Sequence, residues 1–367
     1  KLRDREVHEV PILPEAVFAH VVRVLGVDGR RLVRFLNEMV EVGDSIREDR
    51  IEKGKPPRSY VGRVGEFLLN WLALAGREDY LFLMSRDKGL SLELVALDPS
   101  KALEFIRDVQ SAIFMSGTLT PLEAFRDVMG IENARLKKFP RMVKRENVQV
   151  LVAKDVSSRG EERSLEAYRR MVDYIVEAVR VIPKNVGVFT ASYEVLQGLL
   201  SANLDVKLEG TGKPLLVEKQ GASSRENDVL VAKFKAYSRR NGAVLLGVMG
   251  GRNSEGQDYS GDEMNGVVLV GIPYARPTPR VQAQIRYFER KFPGKGRYYG
   301  YFLPAHRKLV QAAGRVHRSS EERGSIIVLD RRLLWSSIKK DLPDWLAESV
   351  RPVDLARMRL YLRRFWG

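Results

Sequence analysis

Apolar residues between positions 15 and 50 recur every three or four places: Val17, Val21, Val24 and Leu25, then Leu32, Phe35, Leu36, Met39 and Val40. That spacing puts them on one face of a helix. A break at Gly26 and Gly29 divides the run into a helical pair. Residues 47–58 are polar and contain Lys53-Gly54-Lys55 followed by Pro56-Pro57, which predicts a loop; another helix is expected near 65–75. The period then changes. Residues 80–84 and 90–97 are strand-like runs joined through Arg86-Asp87-Lys88-Gly89, a hairpin-style connection.

From Ser111 onward short apolar runs alternate with amphipathic segments, the order that builds a parallel sheet covered by helices. The predicted strands are 111–115, 148–152, 186–190, 215–218, 244–248, 267–270 and 326–329. Helices are predicted at 120–129, 164–181, 192–202, 225–240, 278–291 and 305–316. Several strands are apolar on both faces, as interior strands of a doubly wound sheet must be. The expected fold class is α/β, a parallel sheet flanked by helices and preceded by a small helical element.

With 367 residues the chain has room for two or three units, and 44% apolar with 30% charged residues is the composition of a folded protein. It has no cysteine, which excludes disulfides, zinc ribbons, iron–sulfur ligation and thiol catalysis. His8, His20, His306 and His317 are too scattered for metal-ligand spacing, so no metal site is expected. No apolar run approaches the roughly 20 residues that span a bilayer. No signal segment opens the chain, so an intracellular protein with no membrane partner is expected. The start at Lys1 suggests an excised piece.

Charge changes the picture. Residues 1–118 carry 18 basic and 19 acidic side chains, whereas residues 119–367 carry 44 and 28, so the whole excess of +15 arises in the second part. Such a localised field attracts phosphate polyanions, making nucleic acid or a nucleotide the leading partner class. General solubility charge is the competing explanation.

In an open parallel sheet, ligands sit beyond the carboxyl ends of the strands. Four segments there stand out. Ser116-Gly117-Thr118 offers hydroxyls and a flexible glycine, or simply caps a helix that starts at a proline. Thr190-Ala191-Ser192-Tyr193 puts hydroxyls at a helix N-terminus, where free amides favour an anion, or again a cap. Residues 250–259, Gly-Gly-Arg-Asn-Ser-Glu-Gly-Gln-Asp-Tyr, form a polar, glycine-rich loop directly after a buried strand. Residues 311–318, Gln-Ala-Ala-Gly-Arg-Val-His-Arg, end a helix with Arg315 and Arg318 three positions apart. Their guanidinium forks suit a phosphate oxyanion, although arginines at a helix C-terminus also complement the macrodipole.

Taken together and in this order, the four segments resemble motifs III, IV, V and VI of the XPD-family superfamily 2 DNA helicases. The resemblance runs from about residue 92 to 345. It implies that residues 1–80 end the helical arch domain, 81–118 return to the first motor domain, and 119–367 form a second, RecA-like motor domain. The family's phosphate-binding loop, G-x-x-x-x-G-K-[S/T], is absent: Gly210-Thr211-Gly212-Lys213 comes nearest, but Pro214 follows and Lys207 stands where the first glycine belongs. We read it as a turn. The acidic magnesium motif and the four cluster cysteines are absent too, so the chain resembles the C-terminal segment of such a helicase.

By that resemblance ATP and Mg2+ are shared with the first motor domain, and a 4Fe-4S cluster belongs only to the N-terminal portion. Arg315 and Arg318 are the arginine-finger candidates and Gln311 links to the nucleotide; Gly256, Asp258, Ser116 and Thr118 are the other nucleotide-site candidates. DNA contacts fall to Thr190, Ser192, Tyr193, Arg252, Arg286 and Arg290. Residues 276–301 carry seven basic side chains against Glu289, interleaved with Tyr287, Phe288, Phe292, Tyr298 and Tyr299, as tracking along single-stranded DNA by charge and stacking requires. The function implied is that of a monomeric ATP-dependent helicase that binds single-stranded or forked DNA, moves 5′ to 3′ on the single strand and acts in repair, specifically nucleotide excision repair, with repair proteins as partners and a cytoplasmic location, or a nuclear one in a eukaryote. A related helicase fused to a nuclease, and a non-catalytic binding module that keeps one motor domain, are the alternatives.

Overall fold

The expected helical pair forms as Pro14–Leu25 and Gly29–Glu52. Gly26 ends the first helix at φ 64°, where an L side chain is strained. Asp28 caps the second by accepting from the Arg31 amide. That second helix runs six residues into the predicted loop, because Arg47 pairs with both Asp44 and Glu66 and holds the last turns in place. The third helix, Tyr60–Ala73, crosses it so closely that a Cβ on Gly43 would lie 2.3 Å from the Gly62 Cα.

The computed structural model describes residues 8–86, 89–139, 144–316 and 321–367, and the chain forms two units. The first comprises Lys1–Phe105 with Arg276–Arg297. Its sheet is antiparallel, β1 (His8–Pro11), β2 (Tyr80–Arg86) and β3 (Leu90–Ala96) in that order. The β2–β3 hairpin is the expected one; β1 escaped the pattern because four residues ending in proline carry no readable alternation. The helix Pro279–Lys291 also belongs to this unit, although chain order sets it among the helices of the parallel sheet.

The second unit comprises Ile106–Ala275 and Tyr298–Gly367. It is built on a fully parallel seven-stranded sheet of order β10-β4-β9-β8-β5-β7-β6. The strands are β4 (Val148–Ala153), β5 (Val186–Thr190), β6 (Leu215–Val217), β7 (Val244–Val248), β8 (Gly266–Val270), β9 (Gly324–Val328) and β10 (Val350–Val353). Every residue of β4, β5, β7, β8 and β9 is buried, and helices cover both faces with separate apolar cores. This is the RecA-like α/β fold expected. One strand is corrected: residues 111–115 form no strand, and they lie exposed, Ile113 at 85% and Met115 at 86%. An apolar run becomes a strand only where a ladder partner exists, and none of the described strands pairs with this one. No described helix is long and apolar enough to cross a membrane.

Candidate nucleotide and nucleic-acid site

Because β5 and β7 are hydrogen-bonded neighbours, the segments that leave their carboxyl ends emerge side by side. Thr190 closes β5, and the Met249 amide donates to its carbonyl. Its hydroxyl is buried between the carbonyls of Ser192 and Gly247, at 2.9 and 3.2 Å, and its single proton is given within that pair. Thr190 therefore shapes the turn and presents no hydroxyl to a phosphate. Ser192 caps the next helix, Tyr193–Ser201, accepting from the Val195 amide. Tyr193 donates its hydroxyl to Glu218 at 2.7 Å, and burial together with that bond raises its pKa.

The glycine-rich loop after β7 is held at several points. Gly250 has φ 82°, and a Cβ there would also press on the Lys308 side chain at 3.1 Å. Residues Arg252–Glu255 make one helical turn. Arg252 is exposed and pairs with Asp228 at 3.0 Å. Asn253 is fully buried; its amide donates to Glu218 at 2.7 Å, and its carbonyl accepts the buried Tyr259 hydroxyl at 2.9 Å. Gly256 and Asp258 are exposed at the tip of the loop.

Arg315 reaches this loop from the other side. It sits in the turn Gly314–Val316 that ends the helix Leu303–Ala313, and its two terminal nitrogens donate to the carbonyls of Glu255 and Gln257, each at 2.5 Å. The planar fork thus bridges two carbonyls of one loop. Gln311, one turn earlier, is half-buried. Arg318 and His317 lie outside the described residues.

The structure does not bring every candidate here. Ser116 and Thr118 bond only to each other, in a local turn with the Thr118 amide 3.2 Å from the Ser116 hydroxyl. In the first unit, the helix Pro279–Lys291 exposes Arg286 and Arg290. Arg290 makes only long contacts, with Glu78, whereas Arg280 bridges Glu9 and Glu93 and Lys291 meets the buried Asp98 at 2.8 Å. The stacking expectation is corrected at Phe288 and Tyr299. Phe288 and Tyr299 are buried, Tyr287 donates to Asp98, Tyr298 to Asp341 and Tyr299 to Asp127. Lys213, in the loop-like sequence read as a turn, is buried; it donates to the Ile182 carbonyl, and burial lowers its pKa to about 8.

Glu218 and Asn253 carry the centre of this arrangement and were missed. The available signal was an acid ending an apolar strand run at the carboxyl edge of the sheet. Its meaning depends on three strand ends converging, which the sequence does not display.

This geometry, a RecA-like parallel sheet with polar loops gathered at its carboxyl edge, defines the class, and comparison with known proteins says what it is similar to. Residues 175–349 match the helicase C-terminal domain, and residues 1–162 match a helical and beta-bridge domain. The human regulator of telomere elongation helicase 1 is 29% identical over 294 residues, covering 74% of this chain and 24% of its own. The ATP-dependent DNA helicase chl1 of Aspergillus clavatus is 27% identical over 361 residues, covering 87% of this chain and 49% of its own. Among solved structures, an XPD helicase superposes with a TM-score of 0.62 at 22% identity, over 87% of this chain and 55% of that one. The chain thus carries the pattern of a helicase C-terminal domain behind a helical and beta-bridge domain, and it resembles the C-terminal region of an XPD-like helicase. It spans about a quarter to a half of the length of these relatives.

Proposed function

We propose that the chain supplies the second motor domain of an ATP-dependent DNA helicase that moves 5′ to 3′ and acts in DNA repair, with nucleotide excision repair as the implied process. The observation that carries this reading is the bridge from Arg315 to the Glu255 and Gln257 carbonyls, which joins the helix of one motif to the loop of another at the carboxyl edge of the sheet. In this reading the chain supplies one side of a nucleotide site. Arg315, Arg318 and Gln311 would face its phosphates, with Gly256 and Asp258 beside them in the glycine-rich loop; for Ser116 and Thr118 a nucleotide role rests on the resemblance alone. ATP supplies the phosphoryl group that passes to water. The phosphate loop and magnesium ligands come from the opposing motor domain. The fragment has no cysteine, so it holds no ligand for an iron–sulfur cluster.

Ser192, Tyr193 and Arg252 hold the DNA backbone in this reading, with Arg286 and Arg290 in the first unit. Thr190 acts behind them as a support. Residues 1–80 complete the arch, residues 81–118 rejoin the first motor domain, and the helicase works as a monomer on forked DNA.

The test uses both the complete helicase and residues 1–367. The complete protein is expected to hydrolyse ATP faster with single-stranded DNA and to displace a strand from a fork with a 5′ tail. Residues 1–367 alone are expected to give no DNA-stimulated turnover. Vigorous hydrolysis by the fragment, or indifference of the complete protein to DNA, overturns the reading.

A further inference from the structure

Glu218 is 6% exposed at the carboxyl end of β6. Among the described residues it has no ion-pair partner. A buried carboxylate is tolerated only when its oxygens accept hydrogen bonds, and these bonds come from two separate elements. One oxygen accepts the Tyr193 hydroxyl, from the helix after β5; the other accepts the Asn253 amide, from the loop after β7. The sequence makes room for it twice. A Cβ on Gly247 would lie 2.6 Å from one carboxylate oxygen, and a Cβ on Gly251 would lie 3.1 Å from the other. The chain of contacts continues beyond it: Asn253 accepts from Tyr259, and the carbonyls just past Asn253 accept from Arg315.

We infer that Glu218 is a positioning residue that couples the DNA-facing segment at Tyr193 to the loop gripped by Arg315. This rests on the helicase reading above. The physical reason is a conflict over one proton. A tyrosine hydroxyl donates once, so Tyr193 cannot give its proton both to Glu218 and to a backbone phosphate. When Tyr193 turns to a phosphate, Glu218 keeps only the Asn253 amide. The buried carboxylate then draws on that remaining donor, and the first turn of the loop shifts with it. Nucleic-acid contact at β5 is thereby reported at the carbonyls that Arg315 holds.

The experiment measures the ratio of kcat with saturating single-stranded oligonucleotide to kcat without it, in the complete helicase. Glu218→Gln keeps the shape but turns an amide toward one of the two donors. It is expected to lower the ratio about tenfold while the KM for ATP stays within about twofold, since the residue acts through others. Tyr193→Phe is expected to lower the ratio too, and the double variant is expected to be no worse than Glu218→Gln, because both act on one link. A Glu218→Gln ratio within twofold of wild type, or effects that multiply in the double variant, overturns the inference. Should Glu218→Gln fail to fold, Tyr193→Phe decides, and an unchanged ratio there overturns it.

A wild-type protein whose rate ignores DNA sinks the helicase reading instead. Amide exchange then decides the coupling separately. Oligonucleotide binding is expected to alter exchange in residues 250–259 of the wild type and not of Glu218→Gln, and the same change in both proteins overturns the inference.

Discussion

Residues 276–301 and 311–318 both read as basic functional surfaces, yet Arg280 and Lys291 of the first and Arg315 of the second are held by different groups. In the first stretch Arg280 and Lys291 face the carboxylates of Glu9, Glu93 and Asp98. In the second, Arg315 donates to two backbone carbonyls. A cation paired with carboxylates is neutralised where it sits and fastens elements together. A guanidinium whose fork is held by two carbonyls of one loop is oriented with that loop, and a site for phosphates requires such a fixed placement. Positive charge along a sequence therefore says where phosphate is attracted only after its acidic partners are known.

The largest expected effect tests the second half of that contrast. In the complete helicase, Arg315→Ala is expected to cut ATP turnover by roughly 10³-fold, the scale of an arginine finger, with a smaller change in nucleotide binding. Arg315→Lys is expected to rescue little, since one ammonium cannot bridge the carbonyls of Glu255 and Gln257 as a fork does. Arg280→Lys, at a site where point charge suffices, is expected to leave turnover near wild type. Full activity in Arg315→Lys would erase the distinction.

Next in size is the anchoring of the first unit by Asp98. Burial pushes this carboxyl up, but hydrogen bonds from Lys291, Ser100 and Tyr287 outweigh it and hold the pKa at about 2. As pH falls, the unfolded chain takes up its proton near the usual carboxylate value, before the folded one does, so the stabilisation is present above that value and lost on descending toward 2. By linkage the gap is worth about 2 kcal/mol. Asp98→Asn is expected to destabilise residues 1–367 by about 2–4 kcal/mol at pH 6, because Lys291 loses its partner. Denaturant titrations should show the difference from wild type shrinking at pH 2.5. A difference that holds constant with pH would mean that the charge of Asp98 is not what fastens the helix.

The sequence displayed the parallel sheet well for a physical reason. Strands buried on both faces must be apolar throughout, and 148–152, 186–190, 244–248 and 267–270 are. Residues 111–115 carry the same signal without a partner, since pairing is a long-range fact that local pattern does not contain. β1 and β10 failed in the opposite sense, being short and set only by their neighbours. In the site, the glycine-rich loop and Arg315 were legible because their chemistry is local. The direction of the Thr190 hydroxyl was not, because a serine or threonine at a strand end caps or contacts according to tertiary geometry. Glu218 stood in plain view as the end of a strand and acquires its role only from Tyr193 and Asn253.

The smallest expected effect returns to the first stretch and asks which of its cations remain available. Arg286 and Arg290 are exposed one turn apart on the helix Pro279–Lys291; Arg290 has only a loose pair with Glu78 at 3.7 Å, with both side chains largely in water. Such a pair contributes at most about 1 kcal/mol, so phosphate can replace it. Each contact between a cation and a phosphate of single-stranded DNA releases counterions and adds about 0.7 to the slope of log affinity against log salt. Arg286→Ala and Arg290→Ala are each expected to flatten that slope by about this amount and to weaken binding a few-fold at low salt. Arg280→Ala removes a cation of equal charge from the same helix, but one already bound to Glu9 and Glu93, so its slope is expected to match wild type. If all three variants flatten the slope alike, net charge alone governs DNA affinity, and the division between neutralised and available cations fails.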